Sequence, residues 1–300
     1  MAECICCKER AVFKTAEGPL CKTHFSAYYE DTVARVIEKY QMIKPGERIC
    51  VGFSGGKDST VLLSVLAKLN PGAELIAVTV DEGIANYRDD TIRAAQKTIA
   101  ALSCKVEHQL VSFSDVCGKT LDELLSAKPE RACSVCGTLR RRALNAAARD
   151  CDADKIATGH CMDDEAQSVL MNYLRGDITR LCAIQNTNSE ELFIPRIKPL
   201  CRSTERETVA YGMVNNLLEP LPECPYTVYA FRAGVRRELG LIEHARPGTI
   251  LNIVEGHERL LACVPRSGTD VRKMGVCEKC GEPASGRLCA ACTLLEEYLK

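Results

Sequence analysis

Strand-like and helix-like segments alternate through the middle of the chain, which predicts an α/β fold with a parallel sheet covered on both faces. Two further observations agree. The strand-like runs are short, apolar and bounded by turn residues, and a glycine-rich loop follows the first of them. In order, the pattern predicts a helix over 27–43, a strand over 48–53, a loop at Ser54-Gly55-Gly56-Lys57-Asp58-Ser59 and a helix over 60–69. A strand over 74–80, a helix over 87–102, a strand over 105–111 and a helix over 138–149 follow. A strand over 155–158 and a helix over 163–174 close the regular part. Beyond Gly176 the pattern weakens to a strand over 193–200 and helices over 204–217, 228–239 and 249–263. Sheets of this kind bind ligands at the carboxyl ends of their strands, and loops after residues 53 and 158 fall there.

The chain has 300 residues, 46% of them hydrophobic and 26% charged, enough for a sizeable core. Its formal net charge of -1 requires no polyanionic partner, so any RNA surface must be a local patch. Cysteine is the outlier at 19, an odd number spread along the chain. Met1-Ala2-Glu3-Cys4 lacks the basic and apolar regions of an export signal, and no apolar run is long enough to cross a bilayer. The expectation is a cytoplasmic, reduced protein that does not engage membranes, with thiols free for metals or catalysis. Composition divides it into an N-terminal module (1–26), a catalytic body (27–265) and a C-terminal ribbon (266–300).

In the first loop, Gly55 and Gly56 let the backbone approach an anion, and amides at the following helix start point toward it. Ser54 and Ser59 add hydroxyls, and Lys57 adds positive charge. A plain helix-starting turn is the simpler alternative. The spacing is not that of the common nucleoside-triphosphate loop. It resembles the pyrophosphate loop of N-type ATP pyrophosphatases, which adenylate an oxygen and release pyrophosphate. Val78-Thr79-Val80-Asp81-Glu82-Gly83 matches the strand on which that superfamily holds adenine. Ala157-Thr158-Gly159-His160, followed by Asp163-Asp164-Glu165-Ala166, matches its later strand and helix. The resemblance implies that ATP contacts Gly52, Phe53, Ser54 to Ser59, Val80, Asp81, Gly159, His160 and Asp164. Asp164 would hold Mg2+ or orient the phosphates, and His160 has an equal reading as a structural hydrogen bonder. Cys161 inherits no role.

Cys277-x2-Cys280 and Cys289-x2-Cys292 have the spacing of a closed four-thiolate zinc site. Cys4-x2-Cys7 with Cys21-x2-His24 repeats that logic with one imidazole; Cys6 is spare, although a register using it stays open. Segments this short need a metal to hold a fold, so both modules read as structural.

Cys133-Ser134-Val135-Cys136-Gly137 precedes the helix expected at 138–149 and lacks a nearby second pair. Cys224, in Glu223-Cys224-Pro225-Tyr226, is the best distant partner. Three thiolates suit a 4Fe-4S cluster with one open iron. A helix N-terminus and Arg140 would favour thiolates there. A disulfide between Cys133 and Cys136, or a persulfide and resolving pair at Cys136 and Cys224, are the alternatives. Cys50, Cys104, Cys117, Cys151, Cys182, Cys201 and Cys263 read as small core residues.

In combination and order, these motifs resemble the TtuA/NcsA family of tRNA 2-thiouridine synthetases. Ile197-Lys198-Pro199-Leu200, with Glu205 and Glu207 after it, belongs to the same likeness. The resemblance implies a 4Fe-4S cluster on Cys133, Cys136 and Cys224, with Lys57 and Asp58 also catalytic. Arg140 stands where relatives often carry Lys near the phosphates, which changes the donor geometry. It implies ATP, Mg2+, two Zn2+ and one cluster as cofactors, a homodimer, and tRNA as partner. ATP would adenylate O2 of a uridine, and a sulfur held at the open iron would displace AMP from C2. The resemblance favours uridine 34 over position 54, and a sulfide or ubiquitin-like thiocarboxylate donor. Arg140-Arg141-Arg142, Arg232, Arg236-Arg237, Arg266 and Arg272-Lys273 are candidate RNA contacts or ordinary solvated faces. A cluster-free persulfide thiolase and a non-catalytic zinc-bearing RNA scaffold are the competing readings.

Overall fold

A computed structural model describes residues 2–69, 71–126, 128–183, 193–264 and 275–298. A ribbon of β1 (Phe13–Lys14) and β2 (Pro19–Leu20) leads into α1 (Lys22–Lys39). Then come β3 (Arg48–Gly52), α2 (Lys57–Leu69), β4 (Glu74–Asp81), α3 (Arg88–Ala100) and β5 (Glu107–Ser112). Two short helices, α4 (Phe113–Cys117) and α5 (Leu121–Leu124), precede α6 (Ala132–Asp150), β6 (Lys155–Ala157), α7 (Met162–Arg175) and α8 (Ile178–Ala183). The chain continues through β7 (Arg196–Ile197), α9 (Glu205–Val214), a 3-10 turn at Pro225–Tyr229, α10 (Phe231–Ala245) and α11 (Thr249–Cys263). A second ribbon, β8 (Gly275–Val276) with β9 (Pro283–Ala284), ends in α12 (Ala290–Tyr298).

The central sheet has the order β5-β4-β3-β6-β7, and each adjacent pair is parallel. Alternate residues of its strands enter opposite cores. Ile49, Val51, Leu75 and Ala77 pack with α1, α2 and Tyr211 of α9. Cys50, Ile76, Val78 and Val80 pack with α6 and with Cys277, Cys292 and Leu295 of the C-terminal ribbon. Both faces are thus covered, which is why these strands read as apolar runs rather than alternating ones. Strand order reverses at β3, between β4 and β6, so a crevice opens at the carboxyl ends of β3 and β6.

Several expectations need correction. The helix expected from residue 138 begins at Ala132, so Cys133 and Cys136 lie within α6 rather than before it. Ala132, Val135, Cys136 and Leu139 are all buried at helical spacing, which pulls the segment into the helix despite Gly137. The strand expected over 193–200 shrinks to Arg196–Ile197. Cys104 and Cys263 are exposed rather than core, while Cys50 and Cys151 are buried. Arg266 and Arg272-Lys273 lie outside the described residues.

Candidate functional site

The crevice is a cleft of about 310 Å³ lined by Gly52, Phe53, Ser54, Asp58, Ser59, Val80, Arg140, Gly159 and His160 among others. That volume is at the lower end of the range of small-molecule sites. The loop after β3 is shaped by its own hydroxyls. Ser59 Oγ accepts the Ser54 N–H at 3.2 Å and donates to the Gly56 carbonyl at 2.9 Å, and the Gly56 N–H donates to Ser54 Oγ at 3.3 Å. Gly55 has φ +81°, and a Cβ there would sit 2.2 Å from the Thr91 carbonyl oxygen. Across the cleft, a Cβ on Gly159 would meet the Asp58 carbonyl at 2.9 Å. Each glycine therefore permits a backbone-to-backbone approach that no other residue allows.

Of the nucleotide residues named from sequence, Gly55, Gly56, Lys57, Asp81 and Asp164 do not line this cleft. Lys57 Nζ instead lies 2.7 Å from Asp58 Oδ2 and 2.9 Å from Glu205 Oε1. Burial disfavours its ammonium, but the two carboxylates outweigh that and hold its pKa above the usual lysine range. Asp58 is pushed up by burial, with Asp164 and Glu205 adding to the effect. Asp81 Oδ1 accepts the Gly83 N–H at 2.8 Å, and Asp164 Oδ2 accepts the Cys161 N–H at 3.2 Å, capping α7. His160 Nδ1 pairs with Thr158 Oγ1 at 2.8 Å, and desolvation holds its imidazole below the usual range.

A carboxylate missed in the sequence organises the opposite wall. Glu82 is 4% exposed, and its two oxygens lie 2.7 Å from Arg88 Nε and 2.9 Å from Arg140 Nε. Arg88, 3% exposed, also donates to the Ser54 carbonyl at 3.2 Å, tying this wall to the phosphate-type loop. A glutamate just past a strand carboxyl end was the available signal; nothing in the sequence marked Arg88.

Arg140 Nη2 reaches Cys136 Sγ at 2.9 Å, so one guanidinium spans the cleft wall and the cysteine group. Cys136 is buried, Cys133 exposed and Cys224 half-buried. Cys136 and Cys224 contribute to one hydrophobic cluster, and the turn starting at Pro225 packs on α6. Cys133 Sγ lies 3.8 Å from the Tyr226 carbonyl oxygen. The contact of this turn with α6 thus makes residues 133, 136 and 224 neighbours, and Arg140 links Cys136 to the cleft; their three thiols do not lie within 4.8 Å of one another. Burial pushes the Cys136 thiol up to about 11 despite Arg140, contrary to the expectation that the helix start would favour its thiolate.

At each end of the chain, four metal-type donors lie within 4.8 Å of one another: Cys4, Cys7, Cys21 and His24, and Cys277, Cys280, Cys289 and Cys292. Both sets join a tight knuckle to a helix start. Cys21 and His24 sit three residues apart at the beginning of α1, as do Cys289 and Cys292 at that of α12. Burial raises the Cys4 thiol, and backbone hydrogen bonds around Cys21, Cys6 and Cys7 outweigh it, bringing it to about 6. Cys277 is brought to about 6 against burial in the same way, through the backbone at Cys289, Lys279 and Cys280. Cys6 is exposed, and its N–H donates to Cys4 Sγ at 3.4 Å.

The basic surface is partly committed elsewhere. Arg232 donates to the Asp164 carbonyl, Gln167 and Ser168 of α7. Arg236 pairs with Glu205, and Arg237 with Glu238.

Residues 28–218 match the model of the ATP-binding PP-loop domain family. Cytoplasmic tRNA 2-thiolation protein 1 of Arabidopsis thaliana is 36% identical over 301 residues, covering 98% of this chain and 83% of that protein. The protein of that name from Xenopus laevis is 38% identical over 306 residues, covering 98% and 87%. Among solved structures, the U34-tRNA thiolase NcsA from Methanococcus maripaludis, with its 4Fe-4S cluster, superposes with a TM-score of 0.85. It is 32% identical, with 98% of this chain and 96% of that one covered. The chain belongs to the PP-loop family of tRNA 2-thiolation enzymes.

Proposed function

We propose that the chain is an ATP-dependent sulfurtransferase that converts uridine 34 of tRNA to 2-thiouridine in the cytoplasm. The observation that carries the reading is Arg140, which contacts Cys136 and lines the cleft beside the loop after β3. Activation chemistry and thiol chemistry therefore share one wall. The named target of the Methanococcus maripaludis relative supports uridine 34. No described helix is long and apolar enough to cross a membrane.

In this reading the amides of Gly55 and Gly56 and the hydroxyls of Ser54 and Ser59 cradle the phosphates of ATP. Gly52, Phe53 and Val80 take the adenosine, and Gly159 lets the nucleotide pass close to the backbone. Asp58 and Asp164 hold Mg2+, and Lys57 turns from its carboxylate partners toward the phosphates. Uridine O2 attacks the α-phosphorus, pyrophosphate leaves, and C2 becomes bonded to an adenylated oxygen. A sulfur nucleophile then adds at C2 and AMP departs with the former O2. Orientation and neutralisation of phosphate charge by Arg140 and Lys57 supply the acceleration.

Cys133, Cys136 and Cys224 are the residues that would hold a 4Fe-4S cluster. A three-thiol donor set with a guanidinium at one sulfur fits an anionic cluster. Such a cluster supplies an iron open to an exogenous sulfur ligand. The end modules fit Zn2+, with a Cys3His set and a Cys4 set. Sulfide or a ubiquitin-like thiocarboxylate protein is the sulfur source, and the working unit is a homodimer.

Incubation of the iron-loaded protein with unmodified tRNA, ATP and sulfide, followed by nucleoside mass spectrometry, tests this. The expected products are 2-thiouridine at position 34 and one AMP per modified base. Thiolation at position 54, or product formation without AMP, would overturn it.

A further inference from the structure

Cys224 lies at the end of the stretch between α9 and the 3-10 turn, where regular secondary structure does not fix its place. Beyond its packing on α6, one side chain of the turn ties it down, Tyr226. The Tyr226 hydroxyl donates to Asp122 Oδ1 at 2.8 Å, and Asp122 Oδ2 accepts the Ala85 N–H at 2.9 Å. Ala85 follows Glu82, whose carboxylate holds Arg140, which in turn holds Cys136. A second tie runs beside the first, since the Leu121 N–H donates to the Glu82 carbonyl at 2.8 Å. Gly83 permits that lacing: a Cβ there would lie 2.6 Å from the Thr120 side chain. Helix α5 is therefore fastened to the cleft wall, and the Cys224 turn is fastened to α5. The Tyr226 carbonyl faces Cys133 on the other side.

We propose that Tyr226 and Asp122 are a positioning pair that sets Cys224 in register with Cys133 and Cys136. The proposal deepens the sulfur-transfer reading and rests on it for its purpose, though not for its geometry. A phenol donating to a half-buried carboxylate makes a charge-assisted bond, stronger and more directional than a neutral one. The shared carboxylate bonds a turn on one side and a strand-end loop on the other. Loss of the hydroxyl therefore frees the third thiol without touching the cleft.

The test uses the full chain purified without iron, treated with a short bifunctional thiol reagent, with the Cys133–Cys224 linked peptide quantified by mass spectrometry. Tyr226→Phe and Asp122→Ala are each expected to slow that linkage about tenfold, the weight of one hydrogen bond to a charged group. The double variant is expected to be no slower than the worse single one. ATP affinity of Tyr226→Phe is expected to stay at the wild-type value and its denaturation midpoint to fall by no more than the loss of that one hydrogen bond accounts for, whereas a general loss of packing would lower both further. Iron uptake on anaerobic reconstitution is expected to fall in the same variants. Wild-type linkage in Tyr226→Phe, or losses that add in the double variant, would overturn the pair. Wild-type protein that takes up no iron would instead overturn the cluster assignment, and the linkage rates would still judge the pair.

Discussion

Arg140 donates to Cys136 Sγ at 2.9 Å while its Nε lies 2.9 Å from Glu82 Oε1. A planar fork can hold both contacts at once; a lysine ammonium on a flexible stem meets only one well. Arg140→Ala is expected to lower kcat/KM for thiolation about 100-fold, in line with loss of one group that stabilises developing charge. Arg140→Lys should fall between, with ATP binding retained better than sulfur transfer. Steady-state kinetics at saturating tRNA separate the two effects; equal losses in both would break the proposed link.

Glu82 is buried between Arg88 and Arg140, and Arg88 is itself almost wholly enclosed. Removing the negative partner strands a buried guanidinium. Glu82→Gln is expected to cost about 3 kcal/mol, the weight of breaking a buried ion pair. Urea denaturation at neutral pH reads this directly, and a cost below about 1 kcal/mol would mean the carboxylate serves the cleft alone.

The two loop glycines make opposite predictions. At Gly55 an added methyl collides with the Thr91 backbone, and φ is +81°. At Gly56 it meets only the Ser54 hydroxyl at 3.4 Å. Gly55→Ala should therefore destabilise the fold by at least the ~1–2 kcal/mol of a left-handed non-glycine residue. Gly56→Ala should melt near wild type yet bind ATP more weakly, because the backbone there must approach phosphate. Calorimetry of both variants checks the contrast.

Burial raises the thiols of Cys50 to about 12 and of Cys136 and Cys201 to about 11. A thiol whose folded pKa exceeds its unfolded value of about 8.5 is stabilising only while protonated. That contribution is whole below about pH 8.5 and is lost as pH climbs toward 11. Iron-free protein should accordingly lose denaturant resistance from pH 8 to pH 10. A Cys50→Ala, Cys201→Ala variant should show a flatter slope. Identical slopes would assign the alkaline loss to other groups.

The legible parts of this molecule were those whose chemistry is local. The buried strands at residues 48–53 and 74–80, the loop between Ser54 and Ser59, and the spacing of both end modules each carry their signal within a few residues. Cys224 was singled out by its proline-bounded turn, and the family likeness then joined it to Cys133 and Cys136. Start points of helices were less legible: the helix expected from residue 138 begins at Ala132, because the apolar stripe from Ala132 to Leu139 prevails over Gly137. Short helices α4 and α5 carry capping boxes at Ser112 with Asp115 and Thr120 with Glu123, a signal that was readable and passed over. The contacts of Glu82 with Arg88 and of Asp122 with Tyr226 were not readable. They join residues six and 104 positions apart through the tertiary fold, and neither pair has a local pattern.

Metal analysis of wild-type protein and of Cys224→Ser, both reconstituted anaerobically with iron and sulfide, bears most directly on three thiols serving one cleft. The account predicts about four irons per chain in the wild type, as a 4Fe-4S centre requires, and two zincs. It predicts that Cys224→Ser keeps both zincs, binds ATP normally and loses the iron together with 2-thiouridine formation. Full iron in Cys224→Ser, or iron-free wild-type protein that still thiolates tRNA, would contradict it.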